Sequence, residues 1–365
     1  MSKNKDKILI PLIAIALGIL LGVIILLFSG KNPMDFFAGL LRAGTGIKPG
    51  TPFNLRYPGE FLVTTMPLVL TGLAIGFAYR CGMFNIGSEG QVIMGSLFAT
   101  VFATLAPIDS KLGVVLAVII GGIGGALWAF IPGILKVKFN ISEVVSGIML
   151  NYTALYSANY FLRNLPGADV ARTATFKDGM LLSSTFLSGI TNNSRFHWGF
   201  IVVIIALVAY WFIIEKTSFG YALRATGFNK DAAKYAGIKD DRAVIQSIMI
   251  SGLLAGLAGS LLVLGTFGFG RVMTNFDFYG FDGIAVALVG NCNAIGIGLG
   301  AMLFGLLKVA EPILQTSGIP REVAQIVSSS IIFFVALQYA IKYVLDKIRT
   351  RKVNKTAKVA KEGNK

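Results

Sequence analysis

Ten apolar runs divide this chain, near residues 8–28, 61–79, 88–106, 112–135, 141–162, 198–214, 243–267, 281–291, 294–310 and 322–345. Most reach the roughly 20 residues a helix needs to cross the hydrocarbon core of a bilayer. In lipid every backbone N–H and C=O must be satisfied inside the protein, which restricts runs of this length to bundled helices. Composition agrees: 55% hydrophobic residues, 14% charged residues and a mean hydropathy of +0.72 lie well outside the range of soluble domains. The expected fold is an all-α polytopic membrane protein with about ten transmembrane helices, eight being the lower count. The eighth run is too short to cross as an ordinary helix, so it and the ninth form either two spans or a re-entrant, broken pair. The first run exceeds a signal-peptide core, and no small-residue cleavage site follows before Lys31; it reads as a retained span. Residues 1–345 are expected to form one transmembrane domain and 346–365 a basic tail.

Charge orients the bundle. Of 33 Lys/Arg, nine fall between Lys342 and Lys365, three in the first seven residues, and six in a polar island from Glu215 to Arg242. An even span count puts both termini on one side. With Arg80, Lys136, Lys138 and the island, that side holds 21 of the 33 basic residues, so it is the cytoplasmic one. A basic juxtamembrane tail is an orientation signal or a contact for anionic lipid, and the net charge of +15 does not call for nucleic acid. The outer segments Gly30–Glu60 and Arg163–His197, rich in Gly, Pro, Thr, Ser and Asn, are expected to be irregular loops. Cys81 and Cys292, far apart in apolar surroundings, read as buried thiols.

Polar residues inside apolar runs are costly and therefore informative. In YRCGMFNIGSEGQ, residues 79–91, Asn85, Ser88, Glu89 and Gln91 sit among glycines just before a helix, where free backbone N–H groups can bind polar or anionic groups. In NISEVVSGIMLNY, residues 140–152, Glu143, Ser146 and Asn151 enter the membrane together, Glu143 sharing a helical face with Ser146 and Gly147. For both carboxylates two readings stand: a structural cap or interhelical hydrogen bond, and a place on a transport pathway. A third stretch, residues 266–291, crowds six aromatic residues around Arg271, Asp277 and Asp282 and ends at Asn291. Phe278 and its neighbours read either as an interfacial aromatic belt or as a surface on which planar bases stack. The glycine clusters at 121–125, 251–260 and 296–305 fit close helix packing, with hinges lining a pathway as the other reading.

Enzymatic classes find little support. No GxxxxGK[ST] phosphate loop, HExxH or GxSxG motif and no paired metal-ligand cluster occurs, so no catalytic or metal-binding residue is assigned. The sole histidine, His197, reads as interfacial or structural.

Four segments carry a family resemblance: PLVLTGLAIGFAYRCGMFNIGSEGQ at 67–91, SEVVSGIMLNY at 142–152, TSFGYALRATGFNKDAAKYAGI at 217–238 and YGFDGIAVALVG at 279–290. In their order the chain resembles, from about residue 33 to 345, the permease subunits of ATP-binding-cassette importers of the branched-chain amino acid and ribose superfamily. The wording FNIGSEGQ tilts the resemblance toward the nucleoside branch, with simple-sugar permeases as the alternative and an ATP-independent secondary transporter as a further rival class. The resemblance implies a multi-pass subunit in a bacterial plasma membrane, working with an ABC ATPase that carries ATP and Mg, a second permease (a paralogue or itself) and an extracytoplasmic substrate-binding lipoprotein. It implies no cofactor on this chain. It makes the island a coupling element in which Leu223 to Tyr235 forms a short cytoplasmic helix docked on the ATPase. Arg224, Asn229 and Asp231 would supply polar contacts, Ala225, Ala232 and Ala233 would allow close approach, and Gly220, Gly227 and Gly237 would set the turns. The other reading of this segment is an amphipathic helix resting on lipid. The span beginning near Ala243 is the expected link from island to pore helices.

Overall fold

The computed structural model describes residues 2–48, 50–337, 340–344 and 346–347. Its helices, in chain order, are α1 (Ser2–Phe28), α2 (Pro33–Thr45), α3 (Arg56–Arg80), α4 (Ser88–Leu105), α5 (Lys111–Phe139), α6 (Glu143–Arg163), α7 (Thr185–Ile190) and α8 (Gly199–Lys216). There follow α9 (Ser218–Phe228), α10 (Lys230–Tyr235), α11 (Asp240–Leu261), α12 (Tyr279–Val289), α13 (Ala294–Thr316) and α14 (Arg321–Ala336). The described residues form no β-strand, only isolated bridges at Arg172–Arg271 and Ser183–His197. The basic tail from residue 348 lies outside the described residues.

The helices group into two compact units. In the smaller, built from the chain up to Gly39 and from Glu311 onward, α1 packs along α14. Gly18 and Gly22, four apart on α1, let it lie against Ile331 and Val327.

The larger unit, Leu40–Ala310, is organised around α3. Its most apolar stretch is 83% buried, and it packs against α8, α11 and α12. A helix apolar all round belongs in the centre of a bundle. Around it, α4, α5 and α11 approach to backbone contact: Gly95 faces Gly256, and Gly125 faces Gly252 and Gly256. Lipid supplies no hydrophobic drive for helix association, so small residues that allow such approach hold the bundle. α11 ends in a π-helical turn, Leu262–Phe267, closed by Gly268 in the left-handed region at φ 76°.

Among the described residues, five helices are long and apolar enough to cross a membrane: α3, α5, α8, α11 with its π turn, and α13. The expected eighth run is the 11-residue α12, whereas the ninth belongs to the 23-residue α13. Between α11 and α12 the chain runs back beside α4 and α6: Gly270 packs on Thr100 and Leu162, the Met273 backbone pairs with the Asn159 amide, and Phe278 reaches Glu89.

Two expectations about irregular segments need correction. The segment Gly30–Glu60 contains α2, because Asn32 accepts the Met34 N–H (3.0 Å) at the helix start, Pro33 opens it and Asp35 sits in its first turn. The island does not form one helix from Leu223 to Tyr235. Asn229 adopts an extended conformation (φ −156°, ψ 108°) and caps α10 by accepting the Ala232 N–H at 2.9 Å, which divides the segment into α9 and α10.

Candidate functional site

Two helix N-termini meet deep in the larger unit. α4 begins at Ser88 and α12 at Tyr279, and neither has a side-chain cap on its own N-cap residue. Glu89, 1% exposed, serves both ends. It lies in the first turn of α4, and its two carboxylate oxygens accept the N–H of Phe278 (2.9 Å) and of Gly280 (2.6 Å). Ser88 donates to the Gly280 carbonyl at 2.9 Å. The carboxylate, itself in the first turn of α4, is thus held by backbone N–H groups at the positive end of α12. Gly280 has no room for a side chain: a Cβ there would come within 2.6 Å of the Glu89 Cα. Phe278, 48% exposed, takes a left-handed φ of 64°, the bend that aims its N–H at Glu89.

A second layer ties this node to α6 and α11. Asn85 and Gln91 exchange amide hydrogen bonds (2.8 and 3.1 Å), and Asn85 also donates to Ser251 at 2.7 Å. Ser251 in turn donates to the Ala74 carbonyl at 2.6 Å. Asn151 accepts the Gly90 N–H (2.8 Å) and donates to the Ile86 carbonyl (3.0 Å). The loop between α3 and α4 is thereby fastened on three sides.

Of the sequence-derived pathway residues, Asn85, Ser88, Glu89, Gln91 and Asn151 come together with the Phe278 backbone. Asp282, near the start of α12, pairs with Lys308 at 2.6 Å, whose ammonium lies 4.3 Å from the Tyr279 ring centroid. Glu143 lies two turns before Asn151 and pairs with Lys136 at 2.9 Å. Ser146 donates within its own helix, to Ser142 and Glu143 carbonyls. Asn291 is exposed at the opposite end of α12, beyond its last turn.

The aromatic stretch splits in two. Phe267 lies under Arg271, 4.0 Å from its guanidinium carbon, while Phe276 and Phe278 both pack on Phe281, and Phe276 meets Tyr152 edge-on at 5.0 Å. Between these groups a cavity opens among α4, α6 and the chain after α11. Glu89, Ser96, Thr100 and Phe267 line it with the ion-paired Arg271 and Asp277. The Thr100 hydroxyl is buried there without a protein partner. The rest of the lining is apolar, with Phe267 its one aromatic ring.

The island forms the other feature. Leu223 and Ala233 are buried, whereas Tyr221, Phe228 and Tyr235 are 64%, 91% and 96% exposed. Asn229, Asp231 and Ala232 are exposed, and a cleft between α9 and α10 is lined by Tyr221, Ala225, Phe228, Asn229 and Ala232. Gly220 packs on the carbonyls of Ile213 and Ile214, Gly227 on the backbone of Arg80 and Gly82, and Gly237 turns the chain at φ 83°. Arg224 pairs with Glu215, which it shares with Arg80, the Arg80 contact being 2.5 Å. Sequence reasoning missed the exposed Tyr221 and Phe228; two aromatic residues in a polar segment were the available signal.

His197 is buried and its Nδ1 accepts the Gly199 N–H at 3.1 Å. Burial, with the nearby Arg195 charge, lowers its pKa to about 4, so the ring is a neutral packing element against Gly265.

A bundle of this kind, with buried helix-end polar groups and a projecting helical pair, defines a polytopic helical membrane protein. Residues 57–336 match the family described as the permease component of branched-chain amino acid transport systems, and the chain belongs to that family. It is a transport subunit and not an enzyme. The chain is 42% identical, over 97% of its length and all of the relative's, to the guanosine ABC transporter permease protein NupP of Bacillus subtilis (strain 168). It is 38% identical, over the full length of both, to the nucleoside ABC transporter permease protein NupB of Lactococcus lactis subsp. cremoris (strain MG1363). Similarity to the glucose ABC transporter permease protein TsgB13 of Haloferax volcanii is lower, 27% over 89% of this chain and 86% of that protein.

Proposed function

We propose that this chain is the transmembrane subunit of an ATP-driven nucleoside importer in a bacterial plasma membrane. The observation that carries the reading is end-to-end similarity to two nucleoside permeases at 42% and 38% identity, against 27% for a glucose permease. The residues FNIGSEGQ that set the nucleoside wording are the ones that build the Glu89 node.

In this reading the chain crosses ten times with both termini in the cytoplasm. The short α12 completes a crossing with the extended chain from Gly268 to Phe278, which keeps the parity that the basic residues require. The island lies in the cytoplasm, where the cleft between α9 and α10 receives an ABC ATPase that binds ATP and Mg. A second permease, paralogue or copy, completes the pore, and an extracytoplasmic lipoprotein delivers substrate. The substrate passes near the Glu89 node and the Arg271–Asp277 pair, where the cavity would have to widen to admit a nucleoside.

Uptake of labelled guanosine, uridine and ribose by cells with and without the gene tests the substrate. Gene-dependent guanosine or uridine uptake is expected; gene-dependent uptake of ribose alone would overturn the nucleoside assignment. Docking is tested by Ala232→Trp, which fills the cleft without touching the buried seat of α9. We expect ATPase co-purification to fall about tenfold or more, as for a blocked interface centre, with the membrane level of the variant unchanged. Undiminished capture would remove the ATPase from this cleft.

A further inference from the structure

An ATPase docked on the island can do work only if the island's movement reaches the buried helix ends, and besides the packing of α9 on α11 two routes lead there. One runs through α10 into α11. It rests on Lys230, which pairs with Asp240 at 3.3 Å and with Asp241 at 3.6 Å. The lysine side chain is 54% exposed and that of Asp241 is 61% exposed. The Lys230–Asp241 pair is open to water and holds the two helices weakly, while Asp240, 11% exposed, is the more shielded partner.

The other route runs through α9, and it is built differently. Gly227, in the last turn of α9, lies directly on the chain that leaves α3: a Cβ there would stand 2.5 Å from the Arg80 carbonyl oxygen and 2.9 Å from the Gly82 nitrogen. No side chain intervenes, so α9 and the chain at 80–82 form a backbone-to-backbone seat. Beside it Glu215, near the end of α8, holds Arg80 at the end of α3 with one oxygen and Arg224 of α9 with the other. The three side chains are between 24% and 34% exposed. One carboxylate therefore keeps two guanidinium groups from repelling each other, and without it the two arginines would push α9 away from α3. From Gly82 the chain needs only three residues to reach Asn85, whose bonds to Gln91 and Ser251 fasten the entrance of α4 and so the Glu89 grip on α12.

The geometry points to Glu215, Arg80 and Arg224 as a clamp that transmits movement of the island through the chain at 80–87 to the paired N-termini of α4 and α12. This rests on the importer reading above and adds the route by which ATP hydrolysis reaches the pathway. It stands beside the expected link through the span beginning at Ala243, on which α9 also packs. Arg80, Glu215 and Arg224 are positioning residues: they act through the helix ends and touch no substrate.

The test uses the assembled importer in proteoliposomes, measuring ATPase retention, ATP hydrolysis and labelled guanosine uptake together. Glu215→Gln keeps the side-chain size and removes the charge. It is expected to retain the ATPase and its hydrolysis while uptake per ATP hydrolysed falls about tenfold, a loss within the range of coupled ion-pair networks. The reversed clamp, Arg80→Glu with Glu215→Arg and Arg224→Glu, is expected to restore the ratio to within about threefold of the wild type. An unchanged ratio in Glu215→Gln overturns the proposal. Loss of ATPase retention in Glu215→Gln also overturns it, because the clamp would then serve docking. Failure of both Glu215→Gln and Glu215→Asp to accumulate makes the clamp a folding element and overturns it too. A wild-type importer that hydrolyses ATP but moves no guanosine contradicts the substrate reading instead, and leaves the clamp to be scored with the solute that it does move.

Discussion

Replacing Glu89 with alanine abolishes uptake and lowers the thermal stability of the purified protein in detergent by a large margin. The carboxylate accepts two backbone N–H groups, those of Phe278 and Gly280, where water does not reach. Each buried donor left without an acceptor costs about 1–3 kcal/mol. For the two donors this comes to about 2–6 kcal/mol, a large part of the 5–15 kcal/mol that separates folded from unfolded states in ordinary domains. Glutamine should fall between: its carbonyl can accept one N–H, but its amide presents a donor to the other. Aspartate is one methylene short and should lose at least one of the two bonds. The ordering expected by thermal unfolding in detergent, with guanosine uptake alongside, is wild type, Glu89→Gln, Glu89→Ala. A glutamine variant indistinguishable from wild type in both measurements would show that the two-oxygen grip on α12 is not what matters at this position.

Why Glu89 could be singled out from sequence, and its role could not, has a physical explanation. A carboxylate in an apolar run stands out because lipid penalises it, and Asn85, Gln91 and Asn151 stand out on the same ground. The partners of Glu89 and Asn151 are backbone groups, of Phe278, Gly280, Gly90 and Ile86, and a backbone group carries no mark in the sequence. Ser251 escaped notice because a serine among SGLLAG reads as one more small packing residue, although it bridges Asn85 to the Ala74 carbonyl. Glu143 was visible as an intramembrane carboxylate, but its partner was not. Asn140 takes a left-handed φ of 51° and turns the chain at the end of α5, which brings Lys136 back onto Glu143. The long spans α3, α5 and α11 were legible from apolar length alone. The π turn at the end of α11 left no periodicity to read. The break at Asn229 did leave a signal, an asparagine three residues before Ala232 in a helix-forming stretch, but the alanines around it argued for continuity. The start signal of α2, Asn32 followed by Pro33, was hidden in a segment whose glycine and proline content suggested a loop.

The second large effect concerns glycines that look alike in sequence and differ in what they face. In GGIGG, Gly125 lies against α11: a Cβ there would stand 2.7 Å from the Gly256 Cα and 2.8 Å from its nitrogen. Those are backbone atoms of a helix packed on both α4 and α5, so alanine at Gly125 has to separate α5 from α11. Overpacking of this kind costs about 1–3 kcal/mol and occasionally more, which exceeds the gain of about 1 kcal/mol that alanine brings over glycine inside a helix. Gly122 is one turn away in the same helix and also buried, yet a Cβ there would meet side chains alone: Leu257 Cδ2 at 3.1 Å, its Cγ at 3.3 Å and Leu253 Cγ at 3.6 Å. A leucine methyl can rotate aside, so at Gly122 the helix-propensity gain should prevail. Thermal unfolding in detergent should therefore show Gly125→Ala lower than wild type by several degrees, and Gly122→Ala equal to it or higher. Gly256→Ala should resemble Gly125→Ala, since its Cβ would meet the Gly125 backbone at 3.0 Å from the other side. If Gly122→Ala and Gly125→Ala lost stability equally, the glycines would be acting through helix flexibility, and the backbone contact between α5 and α11 would not be what orders this bundle.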